Sequence, residues 1–128
     1  MAYYYSRTIR APFEDAVNRT IDALKEQGFG VLTEIDVKET LRKKLGARFR
    51  PYRILGACSP PSALKALQAE DKIGTLLPCN VIVQERGDGG IEVAAINPVS
   101  AMQEVGNEAL TSIAKEIQRK LHRVIDEV

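Results

Sequence analysis

The chain has no tryptophan, a single histidine and only two cysteines, and its apolar runs fall short of the roughly 20 residues that a membrane span requires. Neither cysteine belongs to a CxxC pair or a Cys/His zinc spacing, so we expect reduced thiols rather than a secreted disulfide scaffold. One histidine gives little support for a Ser-His or Cys-His nucleophilic pair. Conventional hydrolase chemistry is therefore not expected.

The chain also lacks a large net charge. The 18 Lys and Arg residues are balanced by 17 Asp and Glu residues, a net charge of +1 that is too small for the whole molecule to bind DNA or an anionic membrane as a polycation. The first ten residues lack a basic segment followed by an apolar one. We therefore expect a cytoplasmic protein without a membrane partner, folded as one domain over residues 1–128.

Hydrophobic periodicity predicts nine elements in the order β-α-β-α-β-α-β-β-α. The glycine-rich stretch Gly87-Asp88-Gly89-Gly90 is typical of a β-hairpin turn, which shows that the sheet is not purely parallel. The predicted class is α+β, a two-layer sandwich whose mixed or antiparallel sheet of about five strands carries the helices on one side. Strands are predicted at Tyr3–Ile9, 28–35, Tyr52–Cys58, Cys79–Glu85 and 91–97, and helices begin near Pro12, Asp36, Ser59 and Asn107.

The hairpin and the last helix predict the core. Residues at helical spacing from Leu110 to Ile125 form one apolar stripe, and the hairpin strands present an apolar face of their own. These faces need each other, so we expect five residues to be buried: Val81, Val83, Val93, Ile117 and Leu121. The segment 71–78 is predicted to be irregular, and His122 is predicted to be solvated on the polar side of the last helix.

Basic residues are concentrated between positions 38 and 53, opposed only by Glu39. Such a cluster could hold a phosphate-bearing ligand or a nucleic acid. We favour a solvated surface helix, because aromatic residues are nearly absent there and Tyr52 alone does not form a stacking platform. Nucleic-acid binding is therefore expected to be weak. The cluster comprises Lys38, Arg42, Lys43, Lys44, Arg48, Arg50 and Arg53.

Three sulfur-bearing side chains flank proline-marked breaks in the chain. Cys58 ends a strand just before a predicted helix, and helix N-termini stabilise thiolates, which makes it the candidate functional thiol. Cys79 follows Leu77-Pro78 and Met102 follows Asn97-Pro98; the hairpin predicts these two as neighbours. Cys58 joins them only if its strand runs antiparallel to that of Cys79. Such soft ligands suit Cu(I), although free Cys and Met are also common core residues.

The motifs Gly56-Ala57-Cys58-Ser59-Pro60, Leu77-Pro78-Cys79-Asn80-Val81 and Asn97-Pro98 with Met102 resemble those of the DUF302 family of small prokaryotic domains. The helix at Phe13 followed by Gly28-Phe29-Gly30-Val31 is similar to that family too. The resemblance implies a compact α+β domain of uncharacterised function that is often a homodimer. It assigns no role to the matching residues Cys58, Pro78, Cys79 and Met102.

Three classes of function remain open. The first is a non-enzymatic binding module for a soft metal or for a small ligand that bears sulfur or reacts with thiols. The second is a sulfur carrier or enzyme with Cys58 as its nucleophile. The third is a structural domain that dimerises through the Tyr3-Tyr4-Tyr5 strand or the last helix. The candidate ligand-binding residues are Cys58, Ser59, Cys79, Asn80 and Asn97, and the candidate metal ligands are Cys58, Cys79 and Met102.

Overall fold

Five strands and five α-helices make up residues 2–128, the part of the chain that the computed structural model describes. The strands are β1 Tyr4–Ile9, β2 Gly30–Asp36, β3 Tyr52–Cys58, β4 Cys79–Glu85 and β5 Ile91–Ile96. The helices are α1 Phe13–Glu26, α2 Val37–Leu45, α3 Pro60–Ala69, α4 Pro98–Gln103 and α5 Ala109–Glu127, and a short 3-10 helix spans Ile73–Leu76.

The strands form one sheet in the order β1-β5-β4-β3-β2, and every neighbouring pair is antiparallel. This architecture confirms the predicted α+β class, with the antiparallel form of the sheet. β3 and β4 pair directly although α3 lies between them in the chain. The sequence leaves open whether Cys58 lies near Cys79. The antiparallel pairing brings the two together, because it places the end of β3 beside the start of β4.

The core lies between one face of the sheet and the helices α1 and α5. β-strand alternation turns Val81 and Val83 of β4 and Val93 of β5 into it, and each is fully buried. Ile117 and Leu121 of α5 are also buried, so the five predicted core residues are confirmed. Within residues 2–128, no helix is long and apolar enough to span a lipid bilayer.

Helix ends follow local sequence signals. Asp36 caps α2 by accepting a hydrogen bond from the backbone N–H of Glu39 at 2.9 Å, and Gly46 ends that helix with φ of 63°, a conformation that favours glycine. Two elements differ from the prediction. The 3-10 helix occupies part of the supposedly irregular segment, and α4 begins directly after Asn97, which shortens the last strand to Ile96.

Candidate functional site

One end of the sheet carries a cavity of about 270 Å³ that contains both cysteines. The strand register explains why the two cysteines are close together. Ala57 of β3 pairs with Cys79 of β4, so Cys58 lies one residue beyond the partner of Cys79. α3 and the segment before β4 complete the walls. The lining residues are Phe29, Leu32, Ala57, Cys58, Ser59, Ser62, Ala63, Ala66, Leu67, Gly74, Leu77, Pro78, Cys79 and Ile117.

The two thiols differ in their surroundings. Cys79 is 5% exposed and belongs to the main hydrophobic core, whereas Cys58 is half-buried at the cavity wall. Burial, with a smaller contribution from the nearby Cys58, raises the pKa of the Cys79 thiol from 9.0 to about 11. Cys79 is therefore a neutral thiol at physiological pH, and Cys58 is the more accessible sulfur.

Two serines at the start of α3 add the hydroxyl groups of the cavity. Ser59, at the N-cap position, is 7% exposed, and its hydroxyl contacts the Ser62 hydroxyl at 3.4 Å instead of accepting a hydrogen bond from a backbone N–H of the helix. Pro60 and Pro61 occupy the first two helical positions and have no N–H. The first backbone N–H of α3 is therefore that of Ser62. The helix N-terminus presents fewer donors than the sequence argument for Cys58 assumes.

The structure separates the two asparagines from this cavity. Asn80 is exposed on the opposite face of the sheet, where it lines a different depression. Asn97 is 7% exposed and caps α4: its Oδ1 accepts from the backbone N–H groups of Val99 and Ser100 at 3.1 and 3.3 Å. The Asn97 Nδ2 donates to the carbonyl of Ala2 at 3.2 Å. Its polar atoms are thus engaged within the chain.

Met102 does not join the two cysteines. It is buried on α4 in a second hydrophobic cluster with Ile73 and Leu110, and it lines a separate cavity of about 290 Å³. The prediction of Met102 beside Cys79 followed the strand direction correctly but omitted α4, which turns the chain away after Asn97. Among residues 2–128, no group of three His, Cys, Asp or Glu side chains lies close enough to hold a metal ion.

The basic segment is partly neutralised within the chain. Arg53, whose side chain is 12% exposed, contacts Glu34 at 2.6 Å, Glu14 at 2.8 Å and Asp36 at 3.7 Å. Arg42 and Lys43 both pair with Glu39. These pairs reduce the number of cations that face solvent without a partner. This supports our expectation of weak nucleic-acid binding.

Arg50 belongs to an aromatic group that the sequence analysis overlooked. Its guanidinium carbon lies 4.4 Å from the centre of the Phe49 ring and 5.5 Å from that of Tyr52. Phe49 could have indicated this cluster, because it stands between two arginines in the sequence.

His122 is not a freely solvated side chain. It is half-buried and stacks on Tyr5 of β1, with ring centroids 4.0 Å apart and an interplanar angle of 21°. The Tyr5 hydroxyl donates to the Asp126 carboxylate at 2.7 Å, and this bond raises the pKa of Tyr5. The three residues fasten β1 to α5. They lie outside the cavity lining, so His122 is not placed to act as a base for either thiol.

The cavity also uses residues that motif analysis does not single out. Phe29 is 3% exposed and Ala66 is 1% exposed, and both line the cavity together with Ile117 of α5. They come from three distant segments of the chain. Only the unusual spacing of Phe29 between two glycines gave a local signal.

These observations define a small α+β protein with a sulfur-lined cavity at one end of an antiparallel sheet. The family model described as "Domain of unknown function DUF302" matches residues 5–128, so the chain belongs to the DUF302 family. It is similar to the crystal structure of an uncharacterized conserved DUF302 protein from Bacillus stearothermophilus, with 28% sequence identity and a TM-score of 0.92. That match covers 99% of this chain and 98% of the other. A search of curated proteins found no match.

Proposed function

We propose that this chain is a single-domain, non-enzymatic binding module for a small molecule. The ligand places its apolar part in the cavity and a sulfur-bearing or thiol-reactive group against Cys58. One observation carries the proposal: within the described residues, the cavity contains both cysteines and no other ionisable side chain. Such an apolar enclosure with a few polar groups is typical of small-ligand sites.

The absence of a base from the lining favours binding over catalysis. A nucleophilic cysteine commonly depends on a neighbouring histidine or carboxylate, and none of the lining residues of the described chain carries one. Cys79 contributes a neutral wall, because its thiol keeps its proton up to about pH 11. This supports a site that holds a ligand rather than one that turns it over.

A soft metal is the less favoured ligand. Cu(I) suits two thiolates, but burial opposes ionisation of Cys79, and Met102 lies on another cavity. Metal binding is measured by anaerobic native mass spectrometry of the protein with Cu(I). A 1:1 complex that is lost in both Cys58→Ser and Cys79→Ser would replace the small-molecule proposal with a metal site.

The test of small-molecule binding uses two probes of one chemistry and different charge. Ethyl methanethiosulfonate is uncharged, and 2-sulfonatoethyl methanethiosulfonate is an anion. We expect Cys58 to react faster with the uncharged probe, because the cavity offers an anion no charged partner. The readout is the mass added to the intact protein over time. Loss of labelling in Cys58→Ser assigns the reaction to Cys58.

A matched pair of variants on α3 tests whether the cavity itself matters. Ala63 lines the cavity, so Ala63→Leu fills part of it; Lys65 is exposed on the same helix and does not line it. We expect Ala63→Leu to slow labelling by the uncharged probe severalfold and Lys65→Leu to leave it unchanged. Equal rates for both probes, unaffected by Ala63→Leu, would contradict the proposal.

We also propose that the module is a homodimer located in the cytoplasm. A reducing compartment is in keeping with its two free thiols. The last helix is not available as the dimer face, because its apolar stripe is buried within the chain. The sheet face away from the helices is the better candidate: Tyr4 is 44% exposed there, and Ile82 and Ile96 are half-buried beside it. Sedimentation of Ile82→Asp against the exposed control Thr111→Asp tests this face. A monomeric wild type, or a dimer unaffected by Ile82→Asp, would contradict it.

A further inference from the structure

Exposed leucines border the mouth of the cavity that contains the two cysteines. Leu32 of β2 and Leu67 of α3 both line this cavity, yet they are 67% and 44% exposed. Leu64 lies one turn before Leu67 on α3 and is 58% exposed. Single exposed leucines are common on protein surfaces, but leucines that border an apolar cavity form a continuous apolar patch with it. We call Leu32, Leu64 and Leu67 the leucine rim.

A β-bulge places Leu32 at this mouth. Val31 and Thr33 of β2 pair with Ala57 and Gly56 of β3, which are adjacent in the chain. Leu32 is therefore an extra residue that has no partner on β3. Bulges change the direction in which side chains leave a strand, and they are frequent beside binding sites. Val31 packs against the main core, whereas Leu32 lies at the cavity and is exposed to solvent. The exposure of Leu32 is thus built into the backbone of β2.

The cavity extends from the leucine rim into the core. Phe29, Ala66 and Ile117 line it as well, and each is at most 5% exposed. Its volume is about 270 Å³. A water molecule in the liquid occupies roughly 30 Å³, so the cavity has room for about nine groups of that size, and a CH2 group is similar. Pockets for compact drug-sized ligands are larger, at roughly 300–1,000 Å³. A ligand with a longer apolar part therefore has to leave the cavity across the rim.

We propose that the ligands of this cavity carry an unbranched alkyl chain of about eight or more carbons, which fills the cavity and continues over the leucine rim. This proposal rests on the binding function proposed above and names the apolar part of its ligand. A chain is the shape that joins buried and exposed lining residues through so small a volume. Apart from the two thiols, no ionisable side chain of residues 2–128 lines the cavity, so apolar contact supplies most of the affinity.

The experiment measures how well 1-alkanols protect Cys58 from ethyl methanethiosulfonate, followed as the mass added to intact protein. Alkanols supply the chain without a group that reacts with sulfur, and a parallel reaction with glutathione reports any direct effect on the reagent. From 1-butanol to 1-octanol, we expect the half-protecting concentration to fall about two- to fourfold for each added CH2 group, as its transfer out of water predicts. 1-Adamantanol has the ten carbons of 1-decanol in a compact cage, and it should protect at least about tenfold less well.

Variants of the leucine rim test where the chain leaves the cavity. Leu32→Ser and Leu67→Ser are each expected to raise the half-protecting concentration of 1-decanol about fivefold, and that of 1-butanol by less than about twofold, because only the longer chain reaches the rim. Leu45→Ser is the matched control. Leu45 is 74% exposed on α2 and does not line the cavity, so this variant should protect as wild type does.

Equal protection by 1-decanol and 1-adamantanol, while ethyl methanethiosulfonate labelling still depends on Ala63, would overturn the alkyl chain and leave the binding function standing. Unchanged protection by 1-decanol in Leu32→Ser and Leu67→Ser would overturn the path over the rim. Labelling that slows with rising protein concentration in wild type but not in Leu32→Ser would show instead that a second copy of the chain covers the rim. Absence of Cys58 labelling in the folded protein would overturn both proposals.

Discussion

The central unit of the molecule, β4, β5 and α5, differs sharply from the segment of residues 30–51, which we call the β2–α2 arm. α5 buries six residues and supplies much of the core. In the arm no residue is buried, and Leu32 and Leu45 are 67% and 74% exposed. Burial of apolar area is the largest favourable contribution to folding, so the two regions contribute very unequally to stability.

The arm is held by polar interactions instead. A nine-residue helix such as α2 is marginal by itself in water, and its ends are fixed by Asp36 and Gly46. Arg53 of β3 adds contacts to Glu34 and Asp36 of β2. The carboxylates of these pairs are 42% and 49% exposed, and ion pairs that solvent reaches are individually worth little. We therefore expect the arm to open locally at a lower free energy than the central unit.

The largest expected effect comes from truncating a leucine of the central unit, with a leucine of the β2–α2 arm as its control. Leu121 is fully buried on α5, so Leu121→Ala should lower the free energy of unfolding by about 2–5 kcal/mol. Leu45→Ala removes the same atoms from an exposed position and should change it by less than about 0.5 kcal/mol. Urea unfolding followed by circular dichroism measures both. Similar losses for the two variants would show that the arm is buried in a larger assembly.

A pH dependence comes next, since Cys79 lies in the core. Its thiol has a pKa of about 11 in the folded chain against an ordinary value of 9.0, so the folded state retains a proton that the unfolded state has lost. Stability from this group is complete below pH 9 and is lost as the pH rises towards 11, by about 2–3 kcal/mol in total. Lysines and tyrosines titrate in the same range, so the measured quantity is the difference between wild type and Cys79→Ala. A parallel pH dependence in the two proteins would contradict the burial of this thiol.

The central unit was also the more predictable region. The hairpin and the α5 stripe follow from turn residues and from apolar spacing, both of which are local in sequence. The pairing of β3 with β4 could not be predicted, because a helix between two strands is compatible with a parallel or an antiparallel neighbour. α4 has only six residues, too few to show a helical period, although Asn97-Pro98 is a typical helix start.

The candidate site was predicted only in part for the same reason. Cys58, Cys79 and Ser59 do meet, and the Pro-flanked motifs that mark them were visible. The cavity depends in addition on Phe29, Ala66 and Ile117, which strand order and helix packing bring together from distant segments. Asn80 fell on the wrong side of β4 because strand side chains alternate between the two faces of the sheet.

A glycine at the boundary between the two regions gives the third effect. A Cβ on Gly56 of β3 would clash with Thr33 of the arm and lie 2.8 Å from Pro78, whereas a Cβ on Gly30 meets nothing within 4 Å. We expect Gly56→Ala to lower the free energy of unfolding by about 1–3 kcal/mol and Gly30→Ala to have little effect. Equilibrium unfolding of both variants decides it. Combining Gly56→Ala with Thr33→Ala should recover part of the lost stability. No recovery would show that Thr33 moves aside at no cost and that its clash is not the source of the loss.

The smallest effect isolates the cap of α2. Asp36→Ala removes the acceptor of the Glu39 N–H and should weaken α2 by about 1 kcal/mol. Because the arm buries no side chain, we expect this loss to appear as local opening, with α2 amides exchanging about fivefold faster while α5 amides are unchanged. Asp36→Asn keeps a capping oxygen but removes the charge beside Arg53, so it should leave exchange in α2 nearly as in wild type. Faster exchange in α5 as well would mean that the arm and the central unit unfold together. Faster exchange in Asp36→Asn equal to that in Asp36→Ala would assign the effect to the Arg53 ion pair instead of the cap.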